Sequence, residues 1–440
     1  MEPVQLKPEE ALETLRRSML VDGLPIVLDL EASQGCELVD AATGRHYLDL
    51  FGFVSSNALG MNHPRLTEPA VAAEIGRIAL HKPSNSDIYN VAMAEFVETF
   101  RRVLGDPRLP HHFFIEGGGL AIENALKAAF DFKSRLNESR GFSPALGTRV
   151  LHLRHAFHGR TGYTMSLTNT DPVKTARYPQ FDWPRITSPY LGTDDKGNLR
   201  PVEQLETISL KAAEQAFATH GPDIAACIVE PIQSEGGDHH FRPEYLQALQ
   251  RITHAHDALF IVDEVQTGVG MTGTAWAYQQ LGLEPDIVAF GKKTQVCGIM
   301  AGGKLDEIPD HVFAVSGRLN STWGGSLTDM VRAKHILAAI ETDGLIEHAA
   351  EVGAWLLGEL EALASRQRLL TSPRGRGLLA AFSLPDPATR ARFLEELLRR
   401  DVIMLGCGDR SVRFRPPLVI TKDELRRGLD AIEDALAALT

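Results

Sequence analysis

Pro285-Asp-Ile-Val-Ala-Phe-Gly-Lys-Lys293 reads as a short apolar strand, Ile287 to Phe290, that runs into a lysine. A second apolar run, Ala258 to Val262, leads into Asp263 of the stretch DEVQTG, 29 residues before Lys292. Short apolar runs of this kind predict strands buried on both faces. If the two pair in parallel, the amine and the carboxylate meet at one edge of an α/β sheet, where ligands bind. A lysine able to form a Schiff base and an Asp able to hold a pyridinium nitrogen are the minimum equipment of pyridoxal-phosphate chemistry. Singly, each has a plainer reading: a solvated strand-end lysine and a turn residue.

The surrounding chain repeats the same alternation. His112 to Ile115, Val150 to Leu153 and Ile224 to Val229 are further strand candidates, and Ile88 to Leu104, Leu120 to Phe132 and Pro243 to His256 are helical in pattern. Strands alternating with helices predict parallel pairing and a doubly wound sheet. After about Leu337 the character changes to long amphipathic helices, Ile346 to Ser365 and Ala388 to Arg400, with short strands at Leu378 to Phe382 and Val412 to Phe414. The reading is therefore an N-terminal segment (1–50), a large cofactor-binding domain (51–337) and a smaller α+β domain (338–440), joined by that segment.

At 440 residues the chain exceeds what one core usually holds. Hydrophobic content of 44% and charged content of 23% are those of an ordinary globular protein. The net charge of −12 argues against nucleic acid or an anionic membrane as partner. The charged, amphipathic start has no apolar core of signal-peptide type, and no stretch approaches the roughly 20 apolar residues that span a bilayer. Cys36, Cys227, Cys297 and Cys407 form no CxxC pair, which fits a reduced cytoplasm and no metal site. His111-His112 and His239-His240 lack metal spacing and read as surface or packing histidines.

Glu116-Gly117-Gly118-Gly119 follows a strand and opens a helix, a place where backbone N–H groups can meet a phosphate, although a tight turn would look the same. Phe157, in His155-Ala-Phe-His-Gly-Arg160, could stack on a planar ring or sit in the core. With these in place the chain resembles the class III (ω-) aminotransferases of PLP fold type I over essentially its whole length. DEVQTGVGMTG followed by PDIVAFGKK carries the resemblance, supported by AFHGR and VRFRPPL. The resemblance implies pyridoxal 5′-phosphate, with Lys292 as its Schiff-base lysine and Asp263 on the ring nitrogen. It implies Gln266 on the ring hydroxyl, Val265 and Phe157 on the ring faces, and Gly118 and Gly119 on the phosphate. Thr322, in Asn320-Ser-Thr-Trp-Gly-Gly325, would reach the cofactor of the neighbouring subunit in a homodimer with composite sites. Lys293 is the rival for the Schiff-base role, but the spacing from Asp263 favours Lys292.

Arg160 and Arg413 are candidate carboxylate clamps, since a guanidinium offers a carboxylate a planar fork. Glu235, in Gln233-Ser-Glu-Gly-Gly-Asp238, could enter the same pocket; each of the three could equally be a structural ion pair. The resemblance implies that Glu235 masks Arg413, so that an amino donor binds by its α-carboxylate at Arg160 and offers its distal amine. With 2-oxoglutarate, Glu235 would move aside, Arg413 taking the α-carboxylate and Arg160 the distal one. Gly117-Gly-Gly-Leu-Ala121 and Lys293-Thr-Gln-Val-Cys-Gly298 depart from the common class III pattern and are similar to lysine 6-aminotransferases, as are SMLVDGLPIVLDL, HKPSNSD and RLNSTWGG. Gly119 lacks the hydroxyl that other members offer the phosphate. The expected reaction is L-lysine plus 2-oxoglutarate giving 2-aminoadipate 6-semialdehyde and L-glutamate. Ornithine, 4-aminobutyrate or diaminobutyrate as donor, or a PLP aminomutase or decarboxylase, remain alternatives.

Overall fold

The computed structural model describes residues 4–194 and 198–439. The first three residues of the amphipathic start lie outside that range. Seven strands form the central sheet: β1 (His111–Ile115), β2 (Arg149–Leu153), β3 (Arg185–Ile186), β4 (Ile224–Val229), β5 (Leu259–Asp263), β6 (Ile287–Phe290) and β7 (Cys297–Ala301). Their order across the sheet is β1-β7-β6-β5-β4-β2-β3. β6, β5, β4, β2 and β3 pair in parallel, whereas β7 runs antiparallel to both β6 and β1. All four residues of β6 are fully buried, as are the apolar residues of β5. Burying each large side chain there stabilises the fold by about 1.5–3 kcal/mol, which is why these strands carry almost no polar residue before their ends.

Two helices fix the sheet's active edge. Helix α1 (Val91–Leu104) starts three residues later than its pattern suggests, because the Asn90 side chain accepts the Met93 N–H and caps it there. Helix α2 (Gly118–Ser139) runs from the end of β1 back across β7, β6 and β4, its alanines flat against the strands. The predicted boundary at 337 falls inside helix α3 (Leu327–Thr342), which packs on α1 and is followed by α4 (Leu345–Arg366).

A second sheet of four antiparallel strands follows: β8 (Thr371–Arg376), β9 (Leu379–Ser383), β10 (Leu405–Cys407) and β11 (Ser411–Phe414), in the order β8-β9-β11-β10. It docks on the turn that follows DEVQTG, Met271 to Gly273, through Gly377, whose added Cβ would lie 2.5 Å from the Thr272 carbonyl carbon. A third, small sheet joins Glu37–Val39 and His46–Asp49 to Val402–Ile403, with Val402 opposite Leu48. His239 and His240 are buried, and His239 stacks on Tyr190 at 3.5 Å. His111 pairs with Asp306 at 2.7 Å. Among the described residues no helix is long and apolar enough to cross a membrane.

Candidate active site

The carboxyl ends of β1, β2, β4, β5 and β6 open on one cavity of about 770 Å³. The Gly117 turn follows β1, the Phe157 loop follows β2, Glu230 follows β4, Asp263 ends β5 and Lys292 follows β6. Parallel pairing brings this about, since every strand but β7 points the same way and delivers its loop to the same rim.

Lys292 reaches the cavity and donates from Nζ to the Val54 carbonyl at 2.9 Å. Burial and the nearby Arg413 and Arg415 guanidinium groups bring its amine down to about 8, against a smaller opposing pull from Glu235 and Asp263. Lys293 points away and is fully buried, its Nζ donating to Ser55 Oγ at 2.7 Å and to the Gln266 carbonyl at 3.2 Å. Both amines end on an unusual turn. Gly52, Phe53, Val54 and Ser55 all lie in the left-handed region, with φ between 49° and 68°. That hand costs roughly 1–2 kcal/mol for each residue bearing a Cβ. The turn is tied at its start by buried Asp49, whose Oδ1 accepts the Phe51 and Gly52 N–H groups, and at its end by the lysine amines.

Asp263 is buried and accepts from Val265 N at 3.0 Å and from His158 Nδ1 at 2.8 Å. An ionised carboxylate can only accept, so His158 carries its proton on Nδ1; its Nε2 is buried with no partner. Val265 and Phe157 line the cavity. Gln266 Oε1 accepts from Arg415 Nε at 2.9 Å and lies 3.5 Å from Arg413 Nη1, which leaves the amide's NH₂ as the end free to donate. Arg415 is locked by a fully buried ion pair with Asp238. Beneath the Phe157 loop, fully buried Glu230 accepts from Phe157 N at 2.9 Å, and burial together with Asp263 pushes its carboxyl well above the usual range.

Gly118 and Gly119 begin α2, whose first turn has no side-chain cap. Four N–H groups at such a helix start lack intrahelical partners, and with the positive end of the dipole they suit an anion. A Cβ on Gly118 would come 3.1 Å from a Val265 methyl, and one on Gly119 would come 3.1 Å from the Thr161 methyl. The uncapped helix start, an acidic group on the inner wall, a buried amine and an apolar slot between Val265 and Phe157 together fit pyridoxal 5′-phosphate.

On the substrate side, Arg413 on β11 pairs with Glu235 at 2.8 Å. Burial raises the Glu235 carboxyl, but Arg413 and then Lys174 outweigh it and leave it below its ordinary value. The Glu235 carbonyl accepts from Gly408 N at 2.9 Å, and a Cβ on Gly236 would lie 2.1 Å from the His155 carbonyl oxygen, so the backbone here has no room to shift. Arg160 lines the same cavity, is exposed, and among the described residues makes no hydrogen bond or ion pair. Thr322 is exposed and lies outside this chain's cavity. His158, Glu230, Lys174 and Arg415 were not singled out from sequence; the His in AFHGR and the second Arg of VRFRPPL stood beside residues that were.

Residues 19–436 match the family described as aminotransferase class-III. An L-lysine-epsilon aminotransferase of Mycobacterium tuberculosis is 58% identical over 437 residues, covering 98% of this chain and 96% of that one. A protein of the same description from Streptomyces clavuligerus is 52% identical, covering 99% and 95%. The solved structure of a lysine aminotransferase from M. tuberculosis in the internal aldimine form superposes with a TM-score of 0.96, over 99% of this chain and 100% of that one.

Proposed function

The chain belongs to the class-III aminotransferases, and from that premise we propose that it moves the ε-amino group of L-lysine to 2-oxoglutarate in two half-reactions. The fold is fold type I of the PLP-dependent enzymes, and the cofactor is pyridoxal 5′-phosphate. The products are 2-aminoadipate 6-semialdehyde, which can cyclise, and L-glutamate. One observation carries the choice of amine: Arg413 is already paired with Glu235 at 2.8 Å, while Arg160 on the same cavity has no ion-pair partner among the described residues.

When bound, the cofactor supplies an aldehyde that captures an amine and a ring that takes up the electron pair left when a C–H bond breaks. Lys292 would hold the aldehyde end, Asp263 the ring nitrogen, Gln266 the ring hydroxyl, and Gly118 and Gly119 the phosphate. Asp263 is held in place by hydrogen bonds from His158 and Val265, and its carboxylate would pair with a protonated ring nitrogen. Once freed, the Lys292 amine, down at about 8, would keep an appreciable neutral fraction near physiological pH, which an ordinary lysine lacks. Lys292 would take the proton from the amine-bearing carbon and return it to the carbon on the far side of the nitrogen, two atoms along.

A masked Arg413 rejects α-carboxylates, so L-lysine seats its own at Arg160 and its ε-amine reaches the cofactor. With 2-oxoglutarate the mask moves, and the two arginines take the two carboxylates. The chain would act in the cytoplasm and in three parts, 1–50, 51–337 and 338–440, with helix α3 continuous across the junction at 337; the pairing of Leu48 with Val402 supports the joining of the first part to the last. Glu235→Ala tests it. Misplacing the amine by about 1 Å costs on the order of 100-fold, so stopped-flow rates with L-lysine should fall by that order while 2-oxoglutarate is affected far less. Equal losses in both half-reactions would reduce Glu235 to a structural partner.

A further inference from the structure

We propose that Lys174 is the second seat of Glu235, holding its carboxylate when it leaves Arg413. This rests on the reading of Glu235 as the residue that masks Arg413. The two oxygens of Glu235 are divided between two cations: Oε2 faces Arg413 Nη1 at 2.8 Å, and Oε1 faces Lys174 Nζ at 2.6 Å. Unmasking Arg413 then requires only a rotation of the Glu235 side chain that keeps Oε1 where it is. Without a second seat, the displaced carboxylate, three-quarters shielded from water, would be left unpaired, which is the costly way to break an ion pair.

The two cations differ in a way that fits these roles. Arg413 is 4% exposed on β11, its backbone paired with Ala381 and Leu405 on either side, so it stays in place as a fixed clamp. Lys174 ends a single turn, Pro172–Lys174, on the cavity's rim, and its side chain is a quarter exposed. Four methylenes let its ammonium follow the carboxylate. Its Nζ also lies 5.3 Å from the centre of the Phe157 ring, which keeps the charge over the cavity. Among the described residues Glu235 is its only ion-pair partner. Lys174 and Arg160 both face a second, outer groove as well, so the seat lies where a dicarboxylate enters. Lys174 is thus a positioning residue for the keto-acid half-reaction.

The test uses the holoenzyme and compares half-reactions with L-lysine and with 2-oxoglutarate. Lys174→Met keeps the stem and removes the charge. The apparent Kd for 2-oxoglutarate should rise roughly tenfold more than that for L-lysine, the weight of one charge-assisted hydrogen bond. Lys174→Arg should recover most of it. In a Glu235→Ala background, Lys174→Met should add nothing further. Equal weakening of both half-reactions, or a loss that persists undiminished without Glu235, would overturn the proposal, because Lys174 would then contact substrate or only support the fold. A wild-type enzyme inert to L-lysine would overturn the donor assignment instead, and the 2-oxoglutarate arm in the two backgrounds would still decide Lys174.

Discussion

The amine of Lys292 has lost most of its water and faces two guanidinium groups, so it gives up its proton near pH 8 rather than above 10. Below about 8 the amine is protonated and cannot attack an aldehyde; above it, the amine is neutral and can. Loading of pyridoxal phosphate onto cofactor-free protein should therefore accelerate as pH rises and level off just above 8, as followed by absorbance. A midpoint near that of free lysine would mean that Lys292 is solvated before the cofactor arrives. At this scale the sequence exposed the residues that sit inside recognisable runs: Lys292, Asp263, Val265 and Gln266, Phe157, Arg160, Glu235 and Arg413 all line the cavity. It hid residues whose meaning depends on a distant partner. His158 meets Asp263 across 105 positions, and Lys174 meets Glu235 across 61, with nothing in either local pattern to announce it.

Helix α2 shows what an element adds. Its second residue, Gly119, is one of the two proposed phosphate contacts, and a Cβ there would come 3.1 Å from the Thr161 methyl. Thr161 cannot yield easily, since its hydroxyl donates to Glu123 at 2.5 Å and lies 2.9 Å from that of Thr164. Gly119→Ser should hence weaken cofactor retention, by about tenfold for some 1–2 kcal/mol of overpacking, despite the added donor. Thr161→Ser, which deletes the methyl and keeps the hydroxyl, should restore it in the double variant; dialysis against buffer and residual cofactor absorbance measure both. Among the strands, β4 and β6 were legible to the residue because uninterrupted apolar runs specify them. β7 was not, since Cys297-Gly298 opens it and it follows β6 too closely for a parallel crossover. The left-handed turn at 52–55 was equally invisible, because only Gly52 of its four residues favours that hand.

At the scale of the whole molecule, Thr322 is exposed and lies outside its own chain's cavity. Its loop is held by Ser86 Oγ, which donates to the Ser321 carbonyl, and by Asn85 Nδ2, which donates to the Gly325 carbonyl, while Ile88, Tyr89 and Trp323 nearby in these segments expose large apolar surfaces. A homodimer that covers them would carry Thr322 to the partner's phosphate site. Mixing inactive Lys292→Ala and weakened Thr322→Ala subunits should then restore part of the activity, one site of each mixed dimer being intact; a fully active monomer in sedimentation would exclude it. The sheet has a further consequence. β1 lies beside β7, and Phe114 pairs with Gly298 across 184 positions, so that edge of β1 stays open until a strand 184 residues further along the 440-residue chain has been brought back to it. Closing so long a loop is slow, and an open apolar edge recruits other chains in the meantime. Recovery from denaturant is therefore a race between folding and aggregation, set by protein concentration more than by the stability finally reached.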